Sequence, residues 1–131
     1  MEDCIFCKIL KGEIPKKSIY EDEVIEIIMN INPNTNGHLL VIPKEHYTNV
    51  LDLPNDVIDH SLDVIRTNIY PKLKEKLSCE GLTLAQNNEL GQEIKHFHLH
   101  LIPRYPDDNA DFNYDESKLS SVEETYNKIM D

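Results

Sequence analysis

Tryptophan is missing from this sequence of 131 residues, arginine occurs only at Arg66 and Arg104, and cysteine only at Cys4, Cys7 and Cys79. Each scarcity excludes something. Without tryptophan the core must be filled by Ile, Leu and Val, and a hydrophobic share of 40% against 28% charged residues belongs to a globular chain rather than a disordered one. Lysine and arginine number 13 against 24 acidic residues, a net charge of -11. That balance is wrong for a protein that grips a nucleic-acid backbone, which needs a basic patch and arginines for bidentate phosphate contacts. Small anionic ligands remain compatible, since a local site can override the average field. No apolar run approaches the roughly 20 residues of a membrane span, and the start, Met1-Glu2-Asp3, lacks the basic region of a secretory signal. A cytoplasmic protein with neither a membrane nor a nucleic-acid partner is expected. Three cysteines in that setting do not make a disulfide framework. Cys4 and Cys7 form a C-x-x-C whose readings are a metal site or a redox pair, and Cys79 reads as a buried small apolar side chain.

The length suits one domain, with no internal repeat or low-complexity segment. From Cys4 to Lys11 apolar residues recur at helical spacing, with Gly12 placed for a C-cap. Beyond Pro15, Ser18 to Glu21 and Val24 to Ile31 read as two strands of a hairpin around the acidic turn Glu21-Asp22-Glu23. A loop from Asn32 to Gly37, dense in turn formers, leads to a third strand, His38 to Pro43. Pro54, Asn55 and Asp56 open one long helix whose stripe runs through Ile58, Leu62, Ile65, Ile69, Leu73 and Leu77. Pro71 inside it should kink it. Gly81 marks its end, Leu82 to Asn87 is a fourth strand, Asn88 to Gln92 a polar loop, and His96 to Pro103 a fifth strand. The expected fold is α+β: a five-stranded, mainly antiparallel sheet with one long helix and a short N-terminal helix.

Acidity is uneven. Residues 107–131 hold eight carboxylates and two lysines, so six of the eleven net negative charges lie there. The chain therefore divides into a functional domain over 1–106 and an acidic C-terminal extension over 107–131, which ends in a short helix opened by a capping box at Ser121 and Glu124.

His96, His98 and His100 alternate with Phe97, Leu99 and Leu101. On a strand, period two puts three imidazoles on one face, neighbours roughly 7 Å apart, and the apolar residues on the other. Two chemistries use such a face. One imidazole can be a nucleophile whose neighbour fixes the tautomer that leaves the attacking nitrogen bare. Alternatively the three can ligate a catalytic metal with a coordination position left open. Gly91 and Gln92 lie where backbone N–H groups could meet an anionic oxygen.

The run from Gly91 to Tyr105, GQEIKHFHLHLIPRY, closely resembles the signature of the histidine-triad (HIT) family. CIFCKILKGEIP over Cys4 to Pro15 and GHLLVIPKEH over Gly37 to His46 are similar to the family's bacterial-type, nucleoside phosphoramidase-like pattern, in the same order. The resemblance implies a two-fold dimer with a continuous sheet. It also implies a hydrolase or transferase acting at the α-phosphate of purine nucleotide conjugates through a nucleotidyl-histidine intermediate. On this chain the nucleophile would be His98, assisted by His100, His38 and His96. The nucleotide would be held by Ile5, Phe6, Ile9, Ile28, Asn30 and Ile31 on the base and ribose side, and by Asn87, Gly91 and Gln92 on the phosphate side. In the family's zinc-bearing branch, Cys4, Cys7, His46 and His96 would form a structural zinc site.

Three positions depart from the family pattern. Asn30 stands where many members carry an Asp that accepts from the ribose, Glu93 where several carry Ser or Thr, and the loop from Asn87 to Gly91 is shorter. Two other readings follow from the same residues: a metal-dependent hydrolase using the three histidines as ligands, and a non-catalytic purine nucleotide-binding or scaffold protein.

Overall fold

A computed structural model describes residues 3–111, 113 and 115–131; Phe112 and Tyr114 of the acidic stretch, with Met1 and Glu2, lie outside them. Five strands, β1 (Ser18–Glu21), β2 (Ile25–Met29), β3 (Leu39–Pro43), β4 (Gly81–Ala85) and β5 (Leu99–Arg104), form one antiparallel sheet in the order β1-β2-β3-β5-β4. The architecture is α+β, as expected. β2 and β3 read as nearly unbroken apolar runs because both faces of the central sheet are covered. Ile25, Ile27, Leu39, Val41, Phe97, Leu99 and Leu101 join Val57, Val64, Ile65, Ile69 and Leu73 in the main core. On the opposite face a smaller cluster of Phe6, Ile28, Leu40 and Ile42 lies under α1 (Ile5–Leu10).

The expected long helix is three consecutive pieces: α2 (Asn55–Val64), a π-helical turn (Ile65–Ile69) and α3 (Tyr70–Leu77). The π turn shifts the hydrogen-bond register just ahead of Pro71, whose ring nitrogen then falls in the first turn of α3, where no donor is needed. The helix ends earlier than Gly81. Ser78 adopts the left-handed conformation and donates its N–H to Lys74 O at 3.1 Å, freeing Gly81 to begin β4. Gly37, with φ +88°, passes so close to this end that a Cβ there would meet Leu77 Cδ1 at 2.5 Å.

Several strands are shorter than their apolar runs. β2 stops at Met29 and β4 at Ala85. β5 begins at Leu99 rather than His96, because the Phe97 N–H leaves the β3 ladder and donates to Tyr47 O at 2.7 Å. The histidines therefore straddle the start of the strand, with only His100 inside it. α4 (Val122–Met130) is capped by Ser121, whose side chain accepts from Glu124 N at 3.2 Å, and its residues are exposed. No described helix is long and apolar enough to cross a membrane.

Candidate active site

His98 sits between a wholly buried ring and a hydrogen-bonded pair of rings. Its Nδ1 lies 2.9 Å from His96 O. A carbonyl only accepts, so Nδ1 carries the proton and Nε2 keeps a bare lone pair. Among the described residues that Nε2 has no protein partner. The Phe6 ring meets His98 edge-on at 4.9 Å between centroids, and the His100 ring does so at 5.1 Å. Burial pushes His98 below the ordinary imidazole range, against the opposing pull of the bond to His96 O and of the Glu93 carboxylate.

His100 is fixed by a relay that starts in the turn-rich loop. Asn34 N–H donates to His38 Nδ1 at 3.0 Å, so His38 bears its proton on Nε2, which reaches His100 Nδ1 at 2.9 Å. His100 must then carry its own proton on Nε2. Burial, followed by the neighbouring His98 and His38, lowers His100 to about 4, and burial lowers His38 as well. The site thus pairs a bare nitrogen on His98 with an N–H on His100, both on uncharged rings.

The third histidine faces elsewhere. His96 is 0% exposed; its Nε2–H donates to Pro43 O at 3.0 Å, which directs Nδ1 towards Cys4 Sγ at 3.3 Å and Cys7 Sγ at 3.5 Å. His46 Nδ1 approaches Cys7 Sγ at 3.3 Å, and the four ligand atoms lie within 4.8 Å of one another. Tetrahedral zinc, with Zn–S of roughly 2.3 Å and Zn–N of roughly 2.05 Å, sets S···N edges of about 3.6 Å, so the donor set fits that ion. Pro43 O supplies the outer contact that orients a ligating imidazole. A redox role fits poorly, because burial, then the Cys4 hydrogen bond, push the Cys7 thiol up to about 11, whereas reactive C-x-x-C thiols are lowered. Nor do His96, His98 and His100 converge on one ion. Among the described residues metal-ligating groups gather only at Cys4, Cys7, His46 and His96, because His96 turns away to that cluster while His98 and His100 each direct Nδ1 at a different partner.

The expected base-binding residues are brought together in part. Phe6 and Ile28 are buried side by side with Ile9 packed on them, while Ile5 is 44% and Ile31 is 91% exposed at the rim. Asn30 Oδ1 accepts from Asn32 N at 2.9 Å, and its amide nitrogen lies 3.4 Å from His38 Nε2, whose proton leaves it no acceptor there.

In the polar loop, Asn87 and Gly91 are exposed, and Gly91 holds φ +94°. Gln92 is 6% exposed. Its Nε2 donates to Thr48 O at 2.6 Å and Ile94 O at 3.0 Å, and its Oε1 accepts from Asn49 Nδ2 at 3.3 Å and Glu89 N at 3.2 Å. The side chain is engaged in bracing the loop rather than offered to an anion. Sequence reasoning missed Asn34, whose amide sets the His38 tautomer, and Pro43, whose carbonyl sets that of His96. Main-chain partners leave no mark in residue type. It also missed Lys16 and Glu26, although a lone carboxylate amid the apolar run of β2 was a visible signal.

A sequence model of the family described as HIT domain matches residues 11–107. An uncharacterised HIT-like protein of Methanocaldococcus jannaschii is 38% identical over 96% of this chain and 98% of its own. The adenosine 5′-monophosphoramidase of Saccharomyces cerevisiae is 33% identical over 77% of this chain and 62% of its own. The crystal structure of a zinc-bound histidine triad family protein from Mycobacterium smegmatis superimposes with a TM-score of 0.78 at 36% identity, covering 88% of this chain and 84% of that one.

Proposed function

The chain belongs to the HIT domain family, and from that premise we propose that it hydrolyses purine nucleotide conjugates, nucleoside phosphoramidates or dinucleoside polyphosphates, at the α-phosphate. His98 Nε2 attacks phosphorus, the bond to the amine, phosphate or nucleotide breaks, and the leaving group departs with the bonding pair and takes up a proton. Water then cleaves the phosphorus–nitrogen bond of the nucleotidyl-histidine, releasing the nucleoside monophosphate and the free imidazole. Splitting one substitution into two easier ones is what a nucleophilic catalyst contributes. The observation that carries this reading is the 2.9 Å bond from His98 Nδ1 to His96 O, which keeps the attacking nitrogen unprotonated. The adjoining His100 Nε2–H is the donor for a phosphoryl oxygen. The relative named as a monophosphoramidase supports the same reaction class.

Two further parts belong to this proposal. Cys4, Cys7, His46 and His96 hold a structural zinc, supported by the fit of the donor set and by the zinc-bound relative. Two copies pair through the open edge of β4, where Leu84 is 45% exposed, extending the sheet across a dimer. The test is capture of the intermediate. Brief incubation with a base-labelled adenosine or guanosine phosphoramidate, quenched without acid, should leave label on wild-type protein and none on His98→Ala, which still binds the nucleoside monophosphate. Equal labelling, or turnover by His98→Ala at the wild-type rate, rejects the mechanism.

A further inference from the structure

Glu26 lies in the middle of β2 and is 0% exposed. Strand alternation puts it on the face of Ile28, and its partner across β3 is Ile42, so it belongs to the same side of the sheet as Phe6 and the nucleophile. Its Oε1 accepts from Lys16 Nζ at 2.7 Å, while Oε2 is buried with no hydrogen-bond partner among the described residues. The Glu26 side chain is 1% exposed and that of Lys16 is 22% exposed. A buried carboxylate with one oxygen unsatisfied is expensive, and an apolar side chain of similar volume would cost less. An unmet acceptor in that position is open to a hydrogen-bond donor from outside the protein.

The register says where that donor must come from. Ile42 is one residue past the Val41↔Leu99 pair, so the row that joins Glu26 to Ile42 continues towards His98. Two strand spacings separate the ends of this row, roughly 10 Å. A ligand with its phosphorus at His98 and its ring between Phe6, Ile9 and Ile28 would lie on the sheet face that carries Glu26, two residues along β2 from Ile28. An ionised carboxylate only accepts. Guanine presents N1–H and the N2 amino group as adjacent donors, with O6 beside them for an ammonium, whereas adenine presents a bare N1 that a carboxylate repels.

Resting on the hydrolase reading above, we infer that Glu26 and Lys16 form a base-reading site that selects guanine over adenine in the nucleotide conjugate. Oε2 accepts from N1–H and the N2 amino group, and the Lys16 ammonium meets O6. Lys16, on the irregular segment between α1 and β1 and partly exposed, draws aside to admit the ring.

The experiment compares kcat/KM for guanosine, inosine and adenosine 5′-phosphoramidates on wild-type protein, Glu26→Gln and Lys16→Met, with thermal melting as the folding control. One charge-assisted hydrogen bond corresponds to a preference of roughly 10–100-fold. Wild type should favour guanosine by about that factor, with inosine between, carried by KM rather than kcat. In Glu26→Gln the guanosine-to-adenosine ratio should fall towards one. If Glu26→Gln does not fold, Lys16→Met supplies the test by lowering the same ratio several-fold. Wild-type turnover without base discrimination, or a folded Glu26→Gln with an unchanged ratio, overturns the inference and leaves the hydrolase reading standing. Should neither a phosphoramidate nor a dinucleoside polyphosphate be turned over, the hydrolase reading fails, and calorimetric binding of GMP against AMP decides the base reading alone: tighter GMP binding that Glu26→Gln removes supports it, and equal binding overturns it.

Discussion

Phe97 and His98 are neighbours in the chain on opposite sides of one sheet, and the two sides are held by different physics. Phe97 is 1% exposed among Leu99, Leu101 and the residues of α2 and the π turn, where contact is non-directional and scales with buried area. On His98's side nearly every group has a named direction: His98 to His96 O, His96 to Pro43 O, His38 to His100. The first face tolerates any filling of the right volume; the second depends on individual lone pairs. Stability should therefore concentrate on one side and chemistry on the other.

The sharpest test substitutes the two neighbours in turn. Phe97→Ala should cost about 3–5 kcal/mol in urea unfolding, as large-to-small changes in a closed core do, while the molecules that stay folded keep turning over. His98→Ala should cost only about 1 kcal/mol, the loss of one hydrogen bond to a carbonyl, and remove essentially all turnover. Equal destabilisation by both would break the distinction between the faces.

Metal removal should have a smaller effect that bridges them. The Cys4-Cys7-His46-His96 cluster joins α1 and the segment after β3 to the residue whose carbonyl fixes the His98 tautomer. Chelation, or Cys7→Ser, is expected to lower the melting temperature and to slow turnover by about 10–100-fold, the range seen when an orienting contact is lost. Abolished turnover in protein that remains folded would place the metal in the reaction itself.

The same contrast explains what could be read in advance. α1, the α+β architecture and the alternation of the three histidines follow from periodicity, which is a property of side chains. The early start assigned to β5, the end of the helix at Ser78 rather than Gly81, and the engagement of Gln92 in its own loop depend on which backbone group meets which, and side-chain type carries no record of that. Pro71 marked a real conflict, and a π turn resolves it by shifting the ladder, an outcome that a propensity reading cannot distinguish from a kink. Glu26 is the reverse case. Its pattern was legible, a charge inside an apolar strand, but its meaning needed the buried oxygen and the position of Lys16.

The gentlest perturbation, acid, should separate the faces by where each one loses stability. On the reactive side burial depresses His38, His96 and His98 and takes His100 to about 4. An unfolded chain protonates its imidazoles at about 6.5, before these buried rings do. Stability from keeping them neutral is therefore complete above about 6.5 and falls as the pH drops from there towards 4. On the helix side, Asp22 ties the hairpin to α2. Burial opposes its ionisation, yet the Tyr20 hydroxyl, the Ile25 amide, His60 and the Val24 amide together hold its carboxyl well below the usual range. That contribution is present above the unfolded carboxyl pKa of about 3.9 and is lost only as the pH falls below it. Urea midpoints measured from pH 7 to pH 3 should thus decline in two stages. His100→Phe should shrink the first stage and Asp22→Asn the second, whereas one shared midpoint for both losses would mean that the two sides of the sheet do not titrate apart.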